Sequence, residues 1–282
     1  MYHMTVENEY GQQLELTFNS NFDVLSVTGT NPPVAAINTA AISGMDGTKF
    51  NSSRAEQRNI VITLNIHPPI ESNRLALYNF FRIKQRVKLY YRNEHRDVFI
   101  EGYVESFENN PWAQLQQPQI SIICPQPYWL SVDDSKMDFS VTSALFEFPF
   151  SIPAKGIEFS RMNQVTNLLL NAGEIEVGGI IQFSAVSSLV KNPKFYNITT
   201  GKYFGVDIEM QQGDLITLNT NKGQKSLTLL RAGVTTNIMQ DMSAGSSWVQ
   251  FISGENELSI DADAGASDLR VRLSVTQKFE GV

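Results

Sequence analysis

Alternation is the feature that most constrains this chain. In QQLELTFNS, NIVITLNI, VKLYYR, DVFIEGYVESF and QISIIC, apolar and polar residues alternate or run as short apolar bursts between turn residues. A period of two sends successive side chains to opposite faces of an extended backbone, so these segments read as half-buried or buried strands and the first half as mainly β. One stretch departs from it. In ESNRLALYNFFR, Leu77, Phe80 and Phe81 fall at i, i+3 and i+4, which predicts one packed helix over residues 71–82 with Ser72 as its N-cap.

The pattern breaks at ISIICPQPYWL. Pro125 and Pro127 each remove a backbone donor and restrict the residue before them, so the strand ends at this point. SVDDSKMDFSVTSALFEFPFSIPAKG follows, with acidic and small polar residues, further prolines and weak periodicity, which reads as a connection. With 282 residues the chain is long enough for two ordinary domains, and the boundary is placed near residue 134, giving domains 1–134 and 135–282. The second half is again β: EIEVGGIIQFSAV, KFYNITTGKYFGVDIEM, DLITLNTNKGQKSLTLLR, SSWVQFI, NELSIDAD and DLRVRLSVTQKF are short segments separated by turns. Such spacing predicts a sandwich or jelly roll. Its clearest hairpin carries Asn221-Lys222-Gly223 at the turn.

Composition removes several classes. Hydrophobic residues at 42% and charged residues at 18% describe a globular chain and not a disordered one. No window approaches the roughly 20 apolar residues needed to span a bilayer, and the start lacks a basic region followed by an apolar one, so no membrane partner is expected. A single cysteine forms no internal disulfide. The net charge of -7 argues against nonspecific nucleic-acid binding.

Candidate chemistry is sparse. Cys124 follows Ile122 and Ile123 in a strand, and with His3, His67 and His95 scattered it reads as core, not as an activated thiol. AGSSWVQ lacks the G-x-S-x-G elbow, and no paired Cys or His spacing encodes a zinc site. Asp261, Asp263 and Asp268 resemble the opening of a calcium loop, but Arg272 stands where the bidentate glutamate belongs; a solvated loop is the alternative. Glu255, Glu257 and Asp261 are the carboxylates nearest to a glycosidase pair. No catalytic, cofactor-binding or metal-binding residue is therefore assigned. The run RIKQRVKLYYRNEHR is more distinctive: as a strand from Ile83 it would place Arg82, Lys84, Arg86 and Lys88 on one face, beside Tyr90 and Tyr91. Such a basic stripe suits a solvated face, a subunit contact or a phosphate-tracking surface.

Taken in order, GMDGTKFNSSRAEQRNIVITLNI, NRLALYNFFRIKQRVKLYY, IEGYVESFENN and QISIICPQPYWL resemble the amino-terminal domain of distal tail proteins from long-tailed phages of Gram-positive bacteria. NPKFYNITTGKYFGVDIEMQQGDLITLNTNKGQKSL, FISGENELSI and the closing FEGV are similar to that family's galectin-like carboxy-terminal domain. The resemblance implies a β-sandwich or split-barrel-like first domain with one helix and a galectin-like jelly-roll second. It also implies a homohexameric ring at the virion tail tip, assembled in the host cytoplasm, with the tail tube protein, the tape measure protein and a tail-associated hub or lysin as partners. DNA would pass through its channel without specific binding. Two rivals are a carbohydrate-binding module, with Tyr196, Tyr203 and Trp248 stacking on sugar, and a cell-wall glycoside hydrolase.

Overall fold

A computed structural model describes residues 2–44, 46–140, 142–144, 160–162 and 167–282, so much of the connection expected from the sequence, residues 145–159, lies outside it. The chain forms two compact units, Met1–Val132 with Lys278–Val282, and Asp133–Gln277.

The first unit begins with β1 (His3–Asn8), β2 (Gln13–Glu15) and β3 (Phe22–Thr28), then a hairpin of β4 (Ala35–Ala41) and β5 (Thr48–Ala55). It continues through β6 (Arg58–Ile66), α1 (Ile70–Phe80), β7 (Arg86–Arg92), β8 (Asp97–Glu108), β9 (Gln119–Cys124) and β10 (Trp129–Ser131). The main sheet runs β2-β1-β7-β8-β9-β6-β3, and β10 pairs with β8. Alternation decides what is buried: Ile60, Ile62, Leu64 and Ile66 of β6 point inward, as do Ile120, Ile122 and Cys124 of β9. Leu77 of α1 and Phe81 just beyond it close this core, while Phe80 is half-buried.

Two local expectations are corrected. The helix starts at Ile70 with Pro69 at the N-cap position and no side-chain cap, so Ser72 sits exposed inside the first turn. The Asn73 amide instead donates to the His67 carbonyl at 2.9 Å and ties the helix to the chain before it. The basic strand is shorter than the alternation implied. Lys84 takes φ 72°, its N–H bonds the Val104 carbonyl at 2.8 Å, and the Gln85 N–H turns back to Arg82 O at 3.1 Å. Residues 82–85 are therefore a turn, and Arg82 and Lys84 do not share a strand face with Arg86 and Lys88.

The second unit contains β11 (Ser135–Ser140), a short pair β12 (Thr142–Ala144) and β13 (Ser160–Met162), then β14 (Asn167–Asn171), β15 (Ile180–Ala185), β16 (Val190–Asn197), β17 (Lys202–Gly205) and β18 (Glu209–Met210). β19 (Leu215–Asn219), β20 (Ser226–Arg231), β21 (Val234–Asn237), β22 (Gly254–Ala264) and β23 (Leu269–Val275) complete it. One sheet runs β11-β23-β15-β19-β20-β21; the other runs β14-β22-β16-β17, with β18 beside β16. Their inward residues, among them Phe139, Phe183, Phe195, Phe204 and Phe251, form one apolar core, so the unit is an antiparallel sandwich. β11 lies in the stretch read as a connection, yet it pairs along its length with β23.

The last five residues fold with the first unit, so the range 135–282 drawn from the sequence divides differently in the structure. β24 (Lys278–Phe279) pairs antiparallel with β10 through Trp129↔Phe279 and Leu130↔Lys278. Arg58, 3% exposed, gathers the neighbouring backbone: its guanidinium donates to Gly29 O at 3.0 Å, to Thr30 O at 3.1 Å and to Glu280 O. The Val282 N–H reaches Thr30 O at 3.3 Å, and Arg96 lies 4.6 Å from the Phe279 ring centre. Gly29 has to be glycine: its φ is 80°, and a Cβ there would stand 1.9 Å from the Asn59 carbonyl.

Candidate interaction surfaces

The remaining basic ladder is compensated within its own sheet. Lys88 lies between Glu7 of β1 and Glu101 of β8 in register, with its Nζ 3.4 Å from Glu101; Arg86 reaches the same carboxylate at 4.0 Å. Arg92 pairs with Asp97 at 3.3 Å. Burial and then the Glu7 charge hold the Tyr90 phenol protonated above its ordinary range, and its hydroxyl donates to Glu7 at 3.3 Å. Tyr91 points to the opposite face, with its ring centre 6.4 Å from Trp129 and 6.2 Å from Tyr2. Tyr90 stays on the charged face, 5.8 Å from the ring of its partner Phe99, over which Lys88 sits at 5.3 Å, but that face alternates in sign, which does not suit phosphate tracking.

The three aromatic candidates of the second unit do not make one platform. Tyr196 and Tyr203 are cross-strand partners on β16 and β17, stacked 5.5 Å apart at 27°, so each ring covers a face of the other. The Tyr203 hydroxyl donates to Ala244 O at 2.7 Å. Trp248 packs 5.3 Å from the ring centre of Phe204, the inward neighbour of Tyr203, and Lys225 lies 5.2 Å over it. Adjacent residues of a strand face opposite ways, and that divides the trio.

The carboxylates serve local structure. Asp263 accepts from Lys194 at 2.5 Å and from Asn192 at 2.8 Å, which holds its pKa below the usual range; Asp268 accepts from Ser187 and Ser188. Among the described residues no group of three His, Cys, Asp or Glu is arranged to hold a metal ion. Cys124 is buried, and burial pushes its thiol up to about 12 against the opposing pull of Arg58. Such a thiol is inert at neutral pH.

Several motifs of the second half turn out to be fasteners. In GDLITLNT, Gly213 takes φ 85°, and Asp214, 3% exposed, accepts from Arg231 Nε at 3.1 and 3.0 Å and from its terminal nitrogen at 2.6 Å. In GEN, the Asn256 amide bridges Ile252, accepting from its N–H at 3.0 Å and donating to its carbonyl at 2.8 Å. Chiefly the hydrogen bond from Arg231 holds the Asp214 carboxyl below the usual carboxylate range. Its contribution is therefore full above the unfolded value of about 4 and lost as pH falls through the lowered folded value. Asp214→Asn should destabilise the second unit by on the order of 1–3 kcal/mol at pH 7. Urea titrations should show that loss shrinking at acid pH; a loss independent of pH would assign it to packing instead.

Two exposed features escaped the sequence. Nearly every residue of the β4–β5 hairpin is exposed, including Ile37 and Phe50, with Val34 and Ile42 at its ends. Its strands carry small and polar residues that never alternate clearly, so no buried face was there to read. In the loop between β8 and β9, Trp112 is 93% exposed and Leu115 70%. That loop is nonetheless braced: Asn110 Oδ1 accepts from Trp112 N at 3.1 Å, the Gln116 amide donates to Pro111 O at 3.0 Å, and Asn109 donates to Gln116 Oε1 at 3.1 Å.

Comparison with known proteins places these units. Residues 11–124 match the family model of the phage tail protein RIFT-related domain, and residues 172–279 match the siphovirus-type tail component, C-terminal domain. No curated protein sequence matches the chain. Among solved structures, the distal tail (Dit) protein of phage SPP1, described as a paradigm of the hub adsorption apparatus in phages infecting Gram-positive bacteria, superposes with a TM-score of 0.68 at 14% identity over 98% of this chain and 99% of that one. A chain of the phage P2 baseplate in its activated conformation with calcium gives 0.50 at 12% identity, with both chains fully covered. At these identities the structural matches speak for the fold alone. The two family models together span most of the sequence, in the order of the two units, and the chain belongs to the distal tail protein family of siphoviruses, structural components of the phage tail tip.

Proposed function

We propose that this chain forms a six-membered ring at the tail tip that joins the tail tube to the adsorption apparatus. The first units build the ring and the second units extend from it. The observation that carries the ring is the β4–β5 hairpin. An isolated two-stranded hairpin is marginal in water, and this one exposes Ile37 and Phe50, so a neighbouring copy supplies the missing support. A closed ring needs two different complementary surfaces on each subunit, and a projecting arm is a natural half of such a pair. The tail tube protein, the tape measure protein and a hub or lysin are the remaining partners, assembly takes place in the host cytoplasm, and DNA crosses the channel without specific contacts. The role is structural and not enzymatic, in keeping with the inert thiol and carboxylates engaged in local contacts. The divided aromatic trio gives the glycan-binding alternative no support.

Replacing residues 35–55 with a short Gly-Ser turn should convert rings into monomers in light scattering and negative-stain images, with the thermal transition of the first unit moved by only a few degrees. Rings that persist without the arm overturn its role. Charge reversal at Arg86 and Lys88 tests the basic ladder in the same assay, and unchanged rings would remove those two residues from the interface; Arg82 and Lys84, on the turn, are tested by a separate reversal.

A further inference from the structure

We propose that the second unit sets its basic face against the acidic face of the second unit of the next copy. This rests on the ring proposed above and names a pair of surfaces within it. The two faces are the outward sides of the two sheets of one sandwich. On the sheet that contains β23, the outward charges are Lys136 and Asp138 of β11 and Arg270 and Arg272 of β23. The other four strands add only uncharged side chains to that face, among them Gln182, Thr217 and Thr228. Arg272 pairs with Asp138 at 2.8 Å, which leaves the basic side in excess. Arg270 donates only to the backbone carbonyls of Ser267 and Leu269, at 2.8 and 3.0 Å, and Lys136 has no carboxylate partner among the described residues.

The opposite sheet has the reverse sign. β22 turns Glu255, Glu257, Asp261 and Asp263 outward. On the neighbouring β16, Lys194 and Lys191 answer only Asp263, at 2.5 Å, and Glu209, at 3.2 Å. Glu255 and Glu257 have no cationic partner among the described residues. The outward faces of one sandwich point away from each other, so no chain can bring its own pair together. A chain of net charge -7 repels its copies on average, and a basic face aimed at an acidic one reverses that locally.

The faces also match in detail. Arg270 and Arg272 stand two residues apart on β23, as Glu255 and Glu257 do on β22, so both pairs share a spacing of about 7 Å. Beside the arginines lies a hollow of about 350 Å³ lined by Gln182, Ser184 and Leu215. The Gln182 amide is a further donor for an incoming carboxylate. Apolar groups flank the charges on each side. Leu168 and Leu170, the register partners of Glu257 and Glu255, are 55% and 58% exposed, and the basic face presents Ile180 and Leu230. Charge sets the orientation of such a contact, while apolar area supplies its affinity. Two different faces on one subunit make a heterologous contact, the kind from which rings close.

The test uses the full chain carrying Ser274→Cys, the register partner of Lys136, and Ile198→Cys beside Glu257, treated with a short bismaleimide. The native Cys124 is buried, so the unsubstituted chain is the blank. Expected is a ladder of covalent oligomers ending at the ring. Its yield should fall about tenfold when Arg270→Glu and Arg272→Glu reverse the basic face, and equally when Glu255→Lys and Glu257→Lys reverse the acidic one. Reversing both faces in one chain should restore it, a rescue that a merely misfolded variant would not show. Added salt should lower the yield as well. A ladder untouched by either reversal, or one that the double reversal fails to restore, overturns the pairing of faces. Rings without any ladder overturn it too and leave the ring standing. Monomers of the unsubstituted chain at every concentration overturn the ring and this contact with it.

Discussion

Deleting residues 278–282 should lower the melting temperature of the first unit by about 10 °C while the transition of the second unit stays in place. The deletion strips a strand from β10, uncovers Trp129, and takes away one of the three carbonyls that the buried Arg58 guanidinium holds. A hydrogen bond to a charged group contributes about 1.5–3 kcal/mol, and the lost packing of Phe279 and Val282 adds to it. The sum, roughly 3–5 kcal/mol, corresponds to about 10 °C for a unit of this size. Arg58→Met should act similarly from the other side, since it keeps bulk but leaves Gly29, Thr30 and Glu280 without their shared donor. Calorimetry resolves the two units, and a first transition unmoved in both variants would show that the tail merely rests on a finished fold.

Phe139→Ala should cost the second unit about 3–5 kcal/mol in urea unfolding, the range for emptying a well-packed aromatic site. Phe139 is 1% exposed on β11 and meets the Phe195 ring edge-on at 5.8 Å, which in turn meets Phe251 at 6.3 Å. A loss under about 1 kcal/mol would return the segment to the status of a connection.

These two variants mark where the sequence was hard to read. Strands with one buried face were legible: β6 and β8 alternate strongly because the core lies on one side only, and Cys124 at the end of β9 was rightly taken as part of that core. β11 was missed because SKMDFS offers Met137 and Phe139 among acidic and small residues, and its partner strand is 130 residues away in sequence. Alternation also overran a real end at Lys84, since nothing local in RIKQRV announces a left-handed residue. The return of Phe279 to Trp129 and the grip of Arg58 on Glu280 are long-range pairings that no short window contains. The exposed surfaces were the least visible. The basic stripe was read from spacing, while the charges that neutralise it come from two other strands, and Trp112 lies in a loop that has no period at all.

The pairing of β10 with β24 also bears on how load crosses the chain. The second unit is an insert whose two covalent crossings, Val132–Asp133 and Gln277–Lys278, lie beside the paired residues Leu130 and Lys278. A pull on the insert is divided between two parallel tethers. On the β24 side it meets the carbonyl held by Arg58 before it can peel the tail away. A single linker would transmit the same force through one backbone; with two anchored tethers, the failure of one leaves the other holding the insert.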